Sequence, residues 1–110
     1  MQCGLQILPD AVVIRILGLP DHSLGEIFEK AAARAISLDY RKVLVDFSDV
    51  ESIGPMGLTV CGYGLYHLQQ LRIPVALIQP PASLLPVLSM HGMKEFPVVF
   101  SHECDARTLN

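Results

Sequence analysis

The chain alternates short apolar runs with longer segments in which apolar residues recur every three or four positions. Leu5–Leu8 and Ala11–Leu17 are the first two runs, parted by Pro9-Asp10. The second holds four β-branched residues, Val12, Val13, Ile14 and Ile16, which suit a pleated strand, and the short turn predicts a hairpin. Gly18-Leu19-Pro20-Asp21 breaks it. Ser23 and Glu26 then stand in the S-x-x-E relation of a capping box, and Leu24, Ile27, Phe28, Ala31, Ala35 and Leu38 follow at helical spacing. Glu29, Lys30 and Arg34 fill the other side, so an amphipathic helix lying on a sheet is expected.

Val43-Leu44-Val45-Asp46-Phe47 is short and β-rich and ends at Ser48-Asp49, as a central, largely buried strand would. Ser52–Gly57 reads as a turn whose Pro55 suits the first position of a helix, where a missing N–H costs nothing. That helix should reach about Leu71. Ile73–Gln79 reads as another buried strand. Beyond Pro80-Pro81, an N-cap at Ser83 puts Pro86 at the third helical position, whose N–H has no partner within the helix. The third helix should end at His91 with Gly92 as its C-terminal cap. Phe96–Ser101 is expected as the last strand, and His102–Leu109 as a short helix at most. The order ββαβαβαβ(α) predicts one α/β domain over residues 1–110, a single layer of sheet packed by helices.

Composition narrows the function. Of 110 residues, 51% are hydrophobic and 17% charged, which excludes a disordered chain. Eight Lys+Arg against eleven Asp+Glu leave a net charge of −3 with no basic block, so neither nucleic acid nor an anionic membrane surface is an expected partner. No apolar stretch approaches the ~20 residues needed to cross a bilayer. The first residues, Met-Gln-Cys-Gly-Leu, have no basic segment and no h-region, so no export signal is expected and the cytoplasm is the default location. Cys3, Cys61 and Cys104 and the four histidines (His22, His67, His91, His102) are scattered, with no CxxC pair or ligand spacing. No metal or cofactor is expected, and the thiols read as buried or incidental ones in a reducing compartment.

The glycine-rich stretch Gly54–Gly64 is not a phosphate loop, because Tyr63 follows Gly62 where the loop needs lysine and a hydroxyl. Gly62 and Gly64 instead predict close approach of this helix to the sheet or a neighbour. No serine stands in a G-x-S-x-G elbow, which leaves nucleophilic catalysis without support. Asp46 and Asp49 flank the end of the central strand, where α/β folds often place functional acids, but their expected roles are to cap a loop and start a turn. The second helix is apolar nearly all round for two turns (Met56, Leu58, Val60, Cys61, Tyr63, Leu65). Either its own domain covers both sides, or one side, including Met56, Val60 and Tyr63, is open to a partner.

The stretch Val43–Leu58, V-L-V-D-F-S-D-V-E-S-I-G-P-M-G-L, resembles the signature of STAS domains, the family of anti-sigma factor antagonists and sulfate-transporter cytoplasmic tails. There a strand like V-V-L-D-L-S-x-V is followed by x-x-I-D-S-S-G-L at the next helix start. Val75–Pro81 with Leu84–Gly92, and Phe96–Phe100, resemble the family's later elements, so the likeness spans essentially the whole chain. It implies a STAS-like fold and a regulatory module that contacts another protein without catalysis. In switchable members a kinase-like anti-sigma factor phosphorylates a Ser or Thr of the D-S-S-G turn. Phosphate at a helix N-terminus is favoured by the helix dipole, and its charge of about −2 then opposes docking.

Here Gly54, Pro55, Met56 and Gly57 replace D-S-S-G. Pro55 and Met56, at the phospho-acceptor position, have no hydroxyl, and Ser52 and Thr59 stand elsewhere. The expected partner surface is therefore Gly54, Pro55, Met56, Gly57, Val60 and Tyr63, meeting an anti-sigma factor, a kinase-like protein or another regulator without phospho-control. Two alternatives are an anion or nucleotide held by the N–H groups at Met56–Gly57, and an accessory subunit of a membrane transporter.

Overall fold

A computed structural model describes residues 2–18, 23–93 and 95–108. Strands β1 (Gln2–Ile7) and β2 (Val12–Gly18) form the expected hairpin, with Val12 opposite Ile7 and Leu17 opposite Gln2. Helix α1 (Leu24–Ser37) leads to β3 (Val43–Val50), α2 (Gly54–Gln70) to β4 (Val75–Ile78), and α3 (Leu84–Met90) to β5 (Val98–Phe100); α4 (Glu103–Arg107) follows. The five strands lie side by side in chain order, β1 antiparallel to β2 and the rest parallel. The element order is the one the hydrophobic pattern predicts, and the single-layer mixed sheet is the one the STAS-like resemblance implies. Leu19-Pro20-Asp21, His22 and Leu109 lie outside the described residues.

Burial explains the pattern. Ala11–Ile14 and Val43–Val45 are wholly buried because both faces of the central strands are covered, so their apolar runs are continuous rather than alternating. Alternate residues supply two cores. Val12, Ile14, Ile16, Val43, Val45, Phe47 and Leu77 meet α1, α2 and α3 on one face. Val13, Leu44, Ala76 and Ile78 meet Ala106 of α4 on the other.

Helix ends show where local chemistry did and did not act. Ser23 is the N-cap of α1, but its side chain makes no cap bond; Ile27 N–H is satisfied by the Ser23 carbonyl at 3.2 Å. The expected capping box is absent because Ser23 already has helical torsions (φ −70°, ψ −15°), and a capping side chain reaches back only from an extended residue. Pro86 does sit at the third position of α3, after Ser83. Gly92 adopts φ +85° beyond that helix, and Met93 N–H returns to the Leu88 carbonyl at 3.2 Å, the glycine C-cap expected there. The end of α2 repeats this geometry without a glycine, Arg72 taking φ +61° while Ile73 N–H bonds the Leu68 carbonyl at 3.1 Å.

Both strand acids lie within β3, not in the turns expected for them. The strand runs on past Phe47 because Asp49 and Val50 pair with Leu17 and Gly18 of β2 after a register shift. Asp46 is buried, 8% exposed, on the α4 face; its carboxylate binds Arg15 at 3.0 Å and accepts the Ser48 N–H at 2.9 Å. It holds the sheet to its neighbours and caps no loop.

Candidate functional site

The site is built where β3 hands the chain to α2, at the edge of the sheet formed by the C-terminal ends of the parallel strands. Gly54 makes the entry possible with φ +66°, a torsion side chains rarely adopt, and Pro55 then supplies the first helical turn. From Met56 the helix rotates about 100° per residue, so Met56, Val60, Tyr63 and His67 fall on one stripe. Gly57, Cys61, Leu65 and Leu68 face inward and are buried. Met56 is 49% exposed and Tyr63 64%, whereas Val60 is half-buried at the border with α1.

Of the six residues expected to form a partner surface, Pro55, Met56 and Tyr63 are exposed and Gly54 and Val60 are half-buried. Gly57 is buried and lies beneath that surface rather than on it. No Asp, Glu, Lys or Arg occurs anywhere in α2. The Thr59 hydroxyl donates to the Pro55 carbonyl at 3.0 Å, while Ser52 is exposed in the segment before the helix.

Two glycines let this uncharged helix press against its neighbours. A β-carbon at Gly62 would lie 2.8 Å from the His91 ring and 2.9 Å from Val87 of α3. One at Gly64 would lie 2.5 Å from the Phe28 ring of α1. The sequence offered the sheet or a neighbour as the surface approached; it is the two flanking helices. His91, which no motif singled out, closes the α3 side: its Nδ1–H donates to the Val87 carbonyl at 2.9 Å and its ring meets Tyr63 edge-on, centroids 4.6 Å apart. Its one sequence signal was its place beside the capping glycine.

The site brings no acid, nucleophile and base together. Asp46 points to the opposite face of the sheet, and among the described residues no group of three or more His, Cys, Asp or Glu could hold a metal ion. None of the described helices is long and apolar enough to cross a membrane. The thiols are not uniformly buried: Cys104 is exposed, Cys3 half-buried and Cys61 fully buried. Burial, with a smaller contribution from Cys3, pushes the Cys61 thiol up to about 12. At neutral pH a disulfide reagent should therefore modify Cys104 first and leave Cys61 unmodified until denaturant is added. Mass mapping of the modified peptides checks this, and early labelling of Cys61 would contradict the packing of α2.

No family model and no curated protein sequence matches the chain. Solved structures do. A serine-to-glutamate variant of Moorella thermoacetica RsbS aligns over 97% of this chain and 95% of its own, with TM-score 0.72 and 14% identity. The anti-sigma factor antagonist SpoIIAA in its unphosphorylated form aligns over 96% and 93%, with TM-score 0.68 and 17% identity. An anti-sigma factor antagonist from Mycobacterium paratuberculosis aligns over 97% and 91%, with TM-score 0.64 and 22% identity. The fold is STAS-like. The likeness covers the mixed sheet and all its helices, so the STAS-like pattern seen around Val43–Leu58 belongs to a chain with the matching architecture. In this chain Gly54–Gly57 forms the first turn of α2, directly after β3.

Proposed function

We propose that this STAS-like chain is a non-catalytic, cytoplasmic regulatory module that docks on another protein through the Gly54–Gly57 turn and the Met56–Tyr63 stripe. The supporting observation is that stripe itself. A helix whose inner side is buried leaves Met56 about half exposed and Tyr63 more so, on a helix with no Asp, Glu, Lys or Arg. Exposed apolar side chains on a charge-free helix match the composition of interface cores, which are rich in Met and Tyr and poor in charge. The partner in this reading is an anti-sigma factor, a kinase-like protein or a comparable regulator.

One of the SpoIIAA structures similar in fold is of its phosphorylated form. In the present chain Pro55 and Met56 offer no acceptor at the STAS-like position, and the Thr59 hydroxyl is occupied within the helix. Docking is therefore constitutive rather than switched by phosphate. Incubation with a kinase-like anti-sigma factor and ATP should leave the intact mass unchanged. Phosphate on Ser52 or Thr59 at stoichiometry would overturn this part of the reading.

The docking surface itself is tested by Met56→Asp, which puts a charge where a partner would have to desolvate it. Affinity capture from the native cell should recover a protein with the wild-type chain and recover roughly tenfold less with the variant. Far-UV circular dichroism should be unchanged, because Met56 is about half exposed and lies outside the buried core. Equal recovery by both chains would sink the proposal.

A further inference from the structure

Helices α1 and α2 run side by side, Gly25 opposite Val60 and Phe28 opposite Gly64. Phe28 closes onto Gly64, and beside that contact, next to Gly25, the seam stays open as a groove of about 420 Å³. Gly25, Phe28 and Glu29 form one wall, and Val60, Tyr63 and His67 the other. Val60 to His67 is seven residues, so the groove runs about 10 Å, or two helical turns. Such a trough suits the i, i+3/i+4, i+7 apolar residues of a helix laid along it.

The charges say what kind of helix. Glu29 is the single formal charge in the lining, is exposed, and has no ion-pair partner among the described residues. The neighbouring cation, Lys30, is turned to Glu26 one helical turn away at 3.4 Å. The facing helix has no Asp, Glu, Lys or Arg, and its one basic residue, His67, stands at the far end of the opposite wall. With Lys30 and Glu26 offsetting each other, Glu29 is the carboxylate that a cation arriving over the groove meets and that an anion is repelled by. We infer that the partner seats a basic amphipathic helix in the α1–α2 groove, its apolar side on Val60 and Tyr63 and a lysine or arginine on Glu29. This inference rests on the docking reading above and adds the partner's chemistry to it.

The probe is a fluorescent synthetic peptide of about five helical turns, leucine on one face and lysine elsewhere, with a counterpart carrying glutamate for lysine. Fluorescence anisotropy should show the lysine peptide binding at least roughly tenfold more tightly than the glutamate one. Gly25→Leu fills the groove without altering net charge; a β-carbon there has only Val60 within 4 Å, at 3.8 Å. It should weaken the lysine peptide at least about tenfold. Glu29→Gln, on the exposed side of α1, should weaken it several-fold at low salt and little at high salt. No binding, equal binding of both peptides, or indifference to Gly25→Leu would overturn the inference. A concentration-dependent dimer abolished by Gly25→Leu in ultracentrifugation would overturn it too, giving the groove to a second copy. Capture from cells separates the two readings. A partner lost with Met56→Asp but kept with Gly25→Leu removes the groove and leaves the docking surface; loss with both supports the two together; retention with both removes both.

Discussion

Replacing Gly64 with leucine should destabilise the chain by about 3 kcal/mol, and with alanine by about half that, although alanine is the better helix former. Inside a helix, Gly→Ala alone gains up to about 1 kcal/mol. Against that gain stands the Phe28 ring. The new β-carbon would lie 2.5 to 2.7 Å from three ring carbons, where ordinary carbon contacts lie near 3.5–4.0 Å. The ring is buried and is met at Cγ, its root, so rotation about its own axis gives no relief and α1 and α2 must separate by roughly 1 Å, opening the packing between them. Thermal melts of the two variants test this. Phe28→Leu, combined with Gly64→Ala, should recover at least half the loss, since the two positions are in direct contact and couple. Gly25→Ala on the same seam should behave oppositely and stabilise by about 0.5 kcal/mol, its β-carbon meeting only Val60 at ordinary distance. Similar losses at both glycines would mean that helix geometry, and not the ring, sets the cost.

That contrast marks what a sequence of this kind discloses. Gly62 and Gly64 stood out because glycine is costly inside a helix, which said that something presses close; which surface presses is a tertiary fact, and it proved to be α3 and α1. The strands were legible because central parallel strands need apolar side chains on both faces, and Val43–Val45 had them. Asp49 was misplaced in a turn because a lone acid after an apolar run looks the same whether the strand stops or continues in pairing with β2. The Ser23–Glu26 pair had the right spacing for a capping box, yet torsion angles decide whether a serine side chain can reach, and spacing carries no torsions. For the site, an all-round apolar α2 left two options open. Coordinates resolve them residue by residue: Cys61 and Leu65 belong to the core, and Met56 and Tyr63 do not. The groove beside them was not legible at all. It needs α1 and α2 placed in parallel register, and Glu29 read from sequence only as part of a solvated face.

On the other face of the sheet, Arg15→Met should cost about 3 kcal/mol and loosen α4, a larger effect than Asp46→Ala. Arg15 ties three elements together. Its guanidinium binds Asp46 of β3 at 3.0 Å, Glu103 of α4 at 2.6 Å and the Gln6 side chain of β1 at 2.7 Å. Removing Asp46 leaves Arg15 with Glu103 and Gln6, so no charge is orphaned and the cost should stay near 1–2 kcal/mol. Removing Arg15 leaves a buried carboxylate with the Ser48 N–H as its remaining hydrogen-bond partner among the described residues, the kind of uncompensated charge that costs most. The Arg15 side chain is about a third exposed, which screens the pair and keeps the expected value at the lower end of that range. With only five residues, α4 cannot hold itself together and depends on such ties. Arg107 retains a second one, its Nε–H shared between the two Asp10 carboxylate oxygens at 3.0 and 3.1 Å, a bond that holds that carboxyl below its usual range. Hydrogen exchange should therefore show the Ala106 and Thr108 amides opening faster in Arg15→Met while the β2 and β3 amides slow-exchange at the global rate. A double replacement, Arg15→Met with Asp46→Leu, should regain most of the loss, because an apolar pair in that place has no carboxylate to desolvate. If the double variant is no more stable than Arg15→Met alone, the cost lies in Glu103 and the docking of α4 rather than in the stranded Asp46.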